Sequence, residues 1–304
     1  MRRWLVAPAI LALTVFCLPG RALAEPTSRS VYVTVVDDQG QPVTGLTAAD
    51  FVLKEGGKER EIAAVEPART KMHVALMVEE TLAPMGGVRN ALGEFVKRMY
   101  QVAEISLIVI SQRNTTAVAY TSDPNALIAG INNLPLNMQQ QQQTMVPEGV
   151  FDISKVFAND KPERPVIVLL ALEKQQVSAE EPQNVLNQLA RSGATMYVVS
   201  MEGGSASSGT SGLGGRGSAD NGALDMAGRA QVMGDGPKQS GGRRVEVAAL
   251  TAFPTGVQQV ADDLMGQYHI TYTLPDGVKP SDRLNVSLKK KGATLRAPTK
   301  IAKE

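Results

Sequence analysis

The apolar positions of this chain change period twice. From Val31 to Val35, buried-type residues alternate with Tyr32 and Thr34, the two-residue period of a strand with one covered face. Phe51–Leu53 and Ile62–Val65 read as further short strands, with turns at Asp37–Gly40 and Gly56-Gly57. Three short strands cannot bury a core alone, so partners are expected elsewhere. Tyr268–Leu274, Leu284–Leu288 and Thr294–Arg296 repeat the alternation at the far end. Strands from the two ends are expected to pair into one small β-sandwich.

The middle of the chain follows a different rule. His73–Val78, Ile105–Ile110, Val166–Leu170 and Thr195–Val199 are unbroken apolar runs, the pattern of parallel strands covered on both faces. Ala117–Tyr120 is a short additional strand. Between these runs Val88, Leu92, Phe95, Val96 and Met99 recur at helical spacing, and Asn125–Leu134, Gly149–Phe157 and Ala179–Ala190 read as helices. This alternation predicts an α/β fold with a doubly wound, mainly parallel sheet of Rossmann-like type, flanked by the β-sandwich.

Two stretches interrupt the rhythm. Gln139–Gln143 reads as a surface loop. Gly203–Gly222 is dominated by Gly and Ser and is too poor in apolar side chains to offset its ordering entropy. A disordered insertion over about 202–240 is the resulting expectation.

The first residues set the compartment. Arg2 and Arg3 precede the uncharged stretch Trp4–Leu18, and Ala22-Leu23-Ala24 is a small-x-small cleavage signal. The stretch is short for a helix crossing about 30 Å of hydrocarbon. Residues 1–24 therefore read as a signal peptide cut at Ala24/Glu25, leaving a secreted or periplasmic protein without membrane insertion. Cleavage removes Cys17 and Trp4, the only cysteine and tryptophan, so no disulfide or cysteine metal site is expected. It leaves 28 basic against 30 acidic residues, a balance that argues against nucleic-acid binding. Lys289-Lys290-Lys291 beside Gly292 reads as a solvated turn.

Four segments, taken in order, resemble bacterial exported proteins related to the von Willebrand factor type A domain, a group prominent in Acidobacteria. They are Asp37–Phe51 with Gly56-Gly57-Lys58, Val74–Thr81, Ser240-Gly241-Gly242-Arg243, and Gln267–Leu274 with Asp276-Gly277. The likeness implies a module at 25–70 pairing with 267–304, around a type A-like domain at 71–266.

The resemblance also implies a place to look for a metal. In that family a loop of the form Asp-x-Ser-x-Ser, with a Thr and an Asp from later loops, holds Mg²⁺ through oxygen ligands at about 2.1 Å. Here the loop aligns with Glu79-Glu80-Thr81-Leu82-Ala83, and the late aspartate aligns with Leu172. The threonine position falls near Glu148, with Thr144 as the other candidate. Glu79 and Thr81 keep oxygens, whereas Ala83 and Leu172 offer none. A degenerate site with no metal or other cofactor is expected. The alternative is Mg²⁺ or Ca²⁺ held by regrouped Glu79, Glu80, Glu148 and Glu173.

Catalytic patterns are missing from the sequence. The two histidines, His73 and His269, fall in different modules, and no Gly-x-Ser-x-Gly or His-Glu-x-x-His occurs. Asp262-Asp263 reads as the wet side of a helix. The expected function is non-enzymatic recognition of a protein partner through Glu79, Glu80, Thr81, Glu148 and Glu173. The alternatives are a cation-dependent adhesion module and a structural spacer of the cell envelope.

Overall fold

The computed structural model describes residues 27–83, 85–134, 144–172, 178–201 and 219–302, with the backbone alone for 219–227. β1 (Thr27–Asp37), β2 (Phe51–Glu55) and β3 (Lys58–Pro67) come first. The middle runs β4 (Met72–Glu79), α1 (Gly86–Met99), β5 (Ala103–Ile110), β6 (Asn114–Thr121), α2 (Pro124–Asn132), α3 (Val146–Asp160) and β7 (Pro165–Leu172). It continues with α4 (Pro182–Ser192), β8 (Thr195–Met201), α5 (Ala219–Ser240), β9 (Arg244–Val247) and α6 (Phe253–Met265). β10 (Gln267–Leu274), β11 (Leu284–Leu288) and β12 (Ala293–Arg296) follow.

The central sheet has the order β6-β5-β4-β7-β8-β9. Every neighbouring pair is parallel except β5 with β6, so the sheet is mainly parallel and doubly wound. β4 is central, and its side chains alternate between two cores. Val74, Leu76 and Val78 pack with α1, α2 and α6, while Ala75 and Met77 pack with α3, α4 and α5. Both faces are covered, which is why β7 is buried along its whole length. The chain reverses its winding between β4 and β7. That is the switch point, and the carboxyl ends of these two strands frame a crevice.

The terminal strands form a second sheet in the order β11-β2-β3-β10-β1-β12. β3 serves both halves: Lys58–Arg60 pair with β2, and Glu61–Pro67 pair with β10. The halves share one core, in which Val31, Val33, Ile270 and Tyr272 meet Phe51, Leu53 and Leu284. Strands from both ends of the chain therefore complete one another, as their alternation predicts.

Two buried charges join the modules. Arg164, just before β7, donates to the carbonyls of Ala68 (3.1 Å), Thr70 (3.0 Å) and Leu264 (2.6 Å) and to Gln267 Oε1 (2.9 Å). Its guanidinium also lies 5.1 Å from the Tyr32 ring centroid, a cation–π contact. Asp263 of α6 is 1% exposed and forms ion pairs with Arg243 (2.6 Å) and Arg296 of β12 (2.6 Å). Burial raises the pKa of its carboxyl, and the two arginines oppose that rise. The wet-side reading thus holds for half-exposed Asp262 and fails for Asp263, because β12 covers it.

A larger correction concerns the insertion expected over 202–240. Residues 202–218 lie outside the described residues, but Ala219–Ser240 is helix α5. Two of its glycines, Gly228 and Gly236, are close-approach positions. A Cβ on Gly236 would stand 2.9 Å from Met196 Sδ, and one on Gly228 would stand 3.0 Å from Pro182. Val232 and Met233 anchor the helix in the core beside α4. The glutamine run also lies outside the described residues.

Ser240-Gly241-Gly242 then turns α5 into β9, an edge strand that the sequence reading missed. Ser240 Oγ accepts from Met196 N (2.9 Å), Gly241 has φ +84°, and a Cβ on Gly242 would stand 1.9 Å from Met196 O. Gly242→Ala is expected to lower stability by about 2 kcal/mol or more, read as a reduced urea midpoint. Gly234, in the same helix, has open space around its Cα. Gly234→Ala should move the midpoint the other way, by up to about 1 kcal/mol.

Candidate functional site

The crevice at the switch point is organised by one carboxylate. Glu79 is the last residue of β4 and is fully buried. A carboxylate without water must find other donors or lose its charge. Glu79 finds three. Oε1 accepts from Thr144 Oγ1 (2.5 Å) and from Arg229 Nη2 (2.9 Å), and Oε2 accepts from the backbone N–H of Leu172. Arg229 Nη2 also donates to the carbonyl of Leu172. β4, β7, the residue leading into α3, and α5 thus meet at one point.

Each group arrives for a local reason. Glu79 and Leu172 are adjacent because β4 and β7 pair in parallel, with Val78 opposite Leu170. Thr144 is 4% exposed and precedes α3, whose start is set by Pro147 in the first turn. Arg229 is 3% exposed and projects from α5. Its partner makes burial tolerable, since an unpaired guanidinium would be costly there.

The loop after β4 is held firmly. Glu80 N donates to Ile110 O (2.9 Å), and Leu82 N donates to Glu79 O (2.9 Å). Arg89 of α1 donates from Nε to Ala83 O (2.8 Å), and its Nη atoms reach the carbonyls of Ile131 (3.2 Å), Asn132 (3.0 Å) and Leu134 (2.5 Å). One side chain therefore caps the end of α2 and pins the loop.

The residues expected to form the site separate into groups. Glu79 lies at its centre. Glu80 and Thr81 follow it, half-buried, and Glu80 Oε2 and Thr81 Oγ1 have no hydrogen-bond partner among the described residues. Glu148 is not part of the cluster. Its Oε1 accepts from Ser178 Oγ (2.9 Å), Ala179 N (2.5 Å) and Glu180 N (3.3 Å), so it braces the turn entering α4. Glu173 lies outside the described residues. Ala83 and Leu172 bury their side chains in the core beside α1, and Leu172 contributes only backbone.

Thr144, the second candidate for the threonine position after Glu148, is the residue in contact with Glu79. Arg229 was missed. It sits within Met226-Ala227-Gly228-Arg229-Ala230-Gln231-Val232-Met233, and a charge set among small and apolar residues was the available signal.

Comparison with known proteins places little on this chain. No family profile matches it, and no curated protein does. Solved structures share part of its shape. Proximal thread matrix protein 1 from the mussel byssus is 11% identical with a TM-score of 0.47, over 66% of this chain and 49% of that one. The chain thus spans about half the length of that protein. The conserved hypothetical protein BatB from Bacteroides thetaiotaomicron is 12% identical with a TM-score of 0.42, over 64% and 98%. The von Willebrand factor domain of a type V pili tip protein from Porphyromonas gingivalis is 9% identical with a TM-score of 0.45, over 65% and 96%. The doubly wound architecture rests on the strand order and pairing described above.

A cation at Glu79 would stand against the Arg229 guanidinium, which already bonds the same oxygen. Among the described residues no three His, Cys, Asp or Glu side chains come together as a ligand set.

Glu148 and Glu79 should respond differently to substitution. Glu148→Gln is expected to speed amide hydrogen exchange at Ala179 and Glu180 while changing global stability by less than about 1 kcal/mol. Exchange that speeds throughout β4 and β7 instead would place Glu148 in the central cluster.

Proposed function

We propose that this chain is an exported, non-enzymatic protein-recognition module, related to von Willebrand factor type A domains, whose metal site is degenerate. The observation that carries the reading is the saturation of Glu79. Both of its oxygens bond protein donors, from β7, α5 and the segment leading into α3, which supports a crevice that needs no ion. The recognition edge is the carboxyl end of the central strands, where the Glu80-Thr81 loop reaches the surface. A partner is held there by hydrogen bonds and apolar contact rather than through a carboxylate–metal bridge.

The histidines support the non-enzymatic reading. His73 stacks on Tyr120 with ring centroids 3.7 Å apart, and His269 stacks on Tyr32 at 4.9 Å, each packed within its own module. Burial lowers the pKa of both. Export rests on the leader ending at Ala24, which lies outside the described residues. Among the described residues no helix is long and apolar enough to cross a membrane.

A second reading has one observation in its favour. Glu80 Oε2 and Thr81 Oγ1 are buried oxygens without a partner among the described residues, and Ca²⁺ accepts irregular oxygen geometry. Calorimetric titration with Mg²⁺, Ca²⁺ and Mn²⁺ separates the readings. No binding is expected below a Kd of about 100 μM; tighter binding that disappears in Glu80→Ala supports the cation-dependent module instead. Crosslinking in the native cell should capture a partner whose yield is unchanged by EDTA and falls with Glu80→Arg or Thr81→Arg. Capture that EDTA abolishes would reject the proposal.

A further inference from the structure

We infer that Arg229 is a tethered cation: its guanidinium takes the place that a divalent ion would occupy, and the crevice depends on it for charge. This deepens the function proposed above by naming what replaces the metal, and it rests on that reading only for the location of the recognition edge.

Geometry carries the inference. Arg229 Nη2 reaches Glu79 Oε1 at the end of β4 and the carbonyl of Leu172 at the end of β7. These oxygens come from adjacent parallel strands, one anionic and one neutral, at the switch point of the sheet. The Thr144 hydroxyl joins the same carboxylate oxygen at 2.5 Å. Carboxylate, carbonyl and hydroxyl are the oxygen types that a hard cation takes as ligands. Here the carboxylate and the carbonyl meet a guanidinium nitrogen, and the hydroxyl shares the carboxylate oxygen.

Burial makes the charge necessary. Glu79 is 0% exposed and Arg229 3%. Removing one member of such a pair leaves the other uncompensated in the interior, whereas replacing both by neutral groups of similar volume is tolerated much better. A metal-bound site would exchange its ion with the medium. Arg229 is covalently part of the chain, so its charge is insensitive to chelators and to divalent ion concentration. It also fixes helix α5 against the strand ends, which joins assembly of the crevice to docking of that helix.

Thermal unfolding of the full chain after leader removal tests this, with and without 5 mM MnCl₂ as the probe. Glu79→Gln and Arg229→Met should each lower Tm by roughly 10 °C, and the double variant should fall no further than the worse single. Arg229→Ala, which vacates the guanidinium space, should recover at least a third of its loss in Mn²⁺. Wild type and Glu79→Gln/Arg229→Ala should not respond to Mn²⁺. Arg229→Lys, which keeps the charge, should retain more stability than Arg229→Met even if Arg229→Ala does not fold.

Additive losses in the double variant, a Mn²⁺ response in wild type, or no Mn²⁺ response in a folded Arg229→Ala would each overturn the inference. These readouts need no partner. Failure here is therefore distinct from failure to capture one.

Discussion

A carboxylate sealed from water at the meeting point of two parallel strands demands a positive charge and enough hydrogen-bond donors, and the centre of this protein is arranged around that demand. Glu79 ends β4 where the winding of the sheet reverses, so whatever neutralises it must reach across from β7 and from the helices beyond. Leu172 offers a backbone N–H, Thr144 a hydroxyl and Arg229 a guanidinium. The path of α5 follows from the last of these. A helix with four glycines and an internal proline has little intrinsic stability, and its docking depends on Arg229, Val232 and Met233.

The same physical rule joins the two modules. Arg164 is buried where the linker before β4, the end of α6 and the start of β10 converge, and it answers three carbonyls and one amide oxygen there. Asp263 is the complementary case, an acid placed between two arginines from different modules. Such groups contribute modestly to net stability, because desolvation offsets much of the attraction. Their stronger effect is on geometry, since any other docking of the terminal sheet would strand a charge.

On the function proposed above, the consequence is a recognition edge that is already assembled. On that proposal a site closed by protein donors does not wait for an ion, and a partner would meet a preorganised surface. Preorganisation reduces the ordering cost of association. The loop that presents Glu80 and Thr81 is restrained at both ends, by the Ile110 carbonyl and by Arg89. The edge thus combines a rigid base with two oxygens still short of partners among the described residues.

Much of this was legible in the chain itself. Unbroken apolar runs such as Val166–Leu170 marked parallel strands buried on both faces, and the alternation at Val31–Val35 and Tyr268–Leu274 marked strands that complete one sheet. Those patterns are local consequences of period, so they survive without knowledge of the fold. Glu79, Thr144 and Leu172 were placed near one another only by the family resemblance, as aligned positions of its loops. Tertiary structure alone decided that Glu148 braces a different turn, that Asp263 is buried, and that 219–240 is a helix. Gly228 and Gly236 read as linker residues until α4 and β8 are seen pressed against them, and Arg229 reads as a surface charge until Glu79 is found beside it. The value of a small residue or a charge depends on what stands across from it in space, and spacing along the chain does not encode that distance.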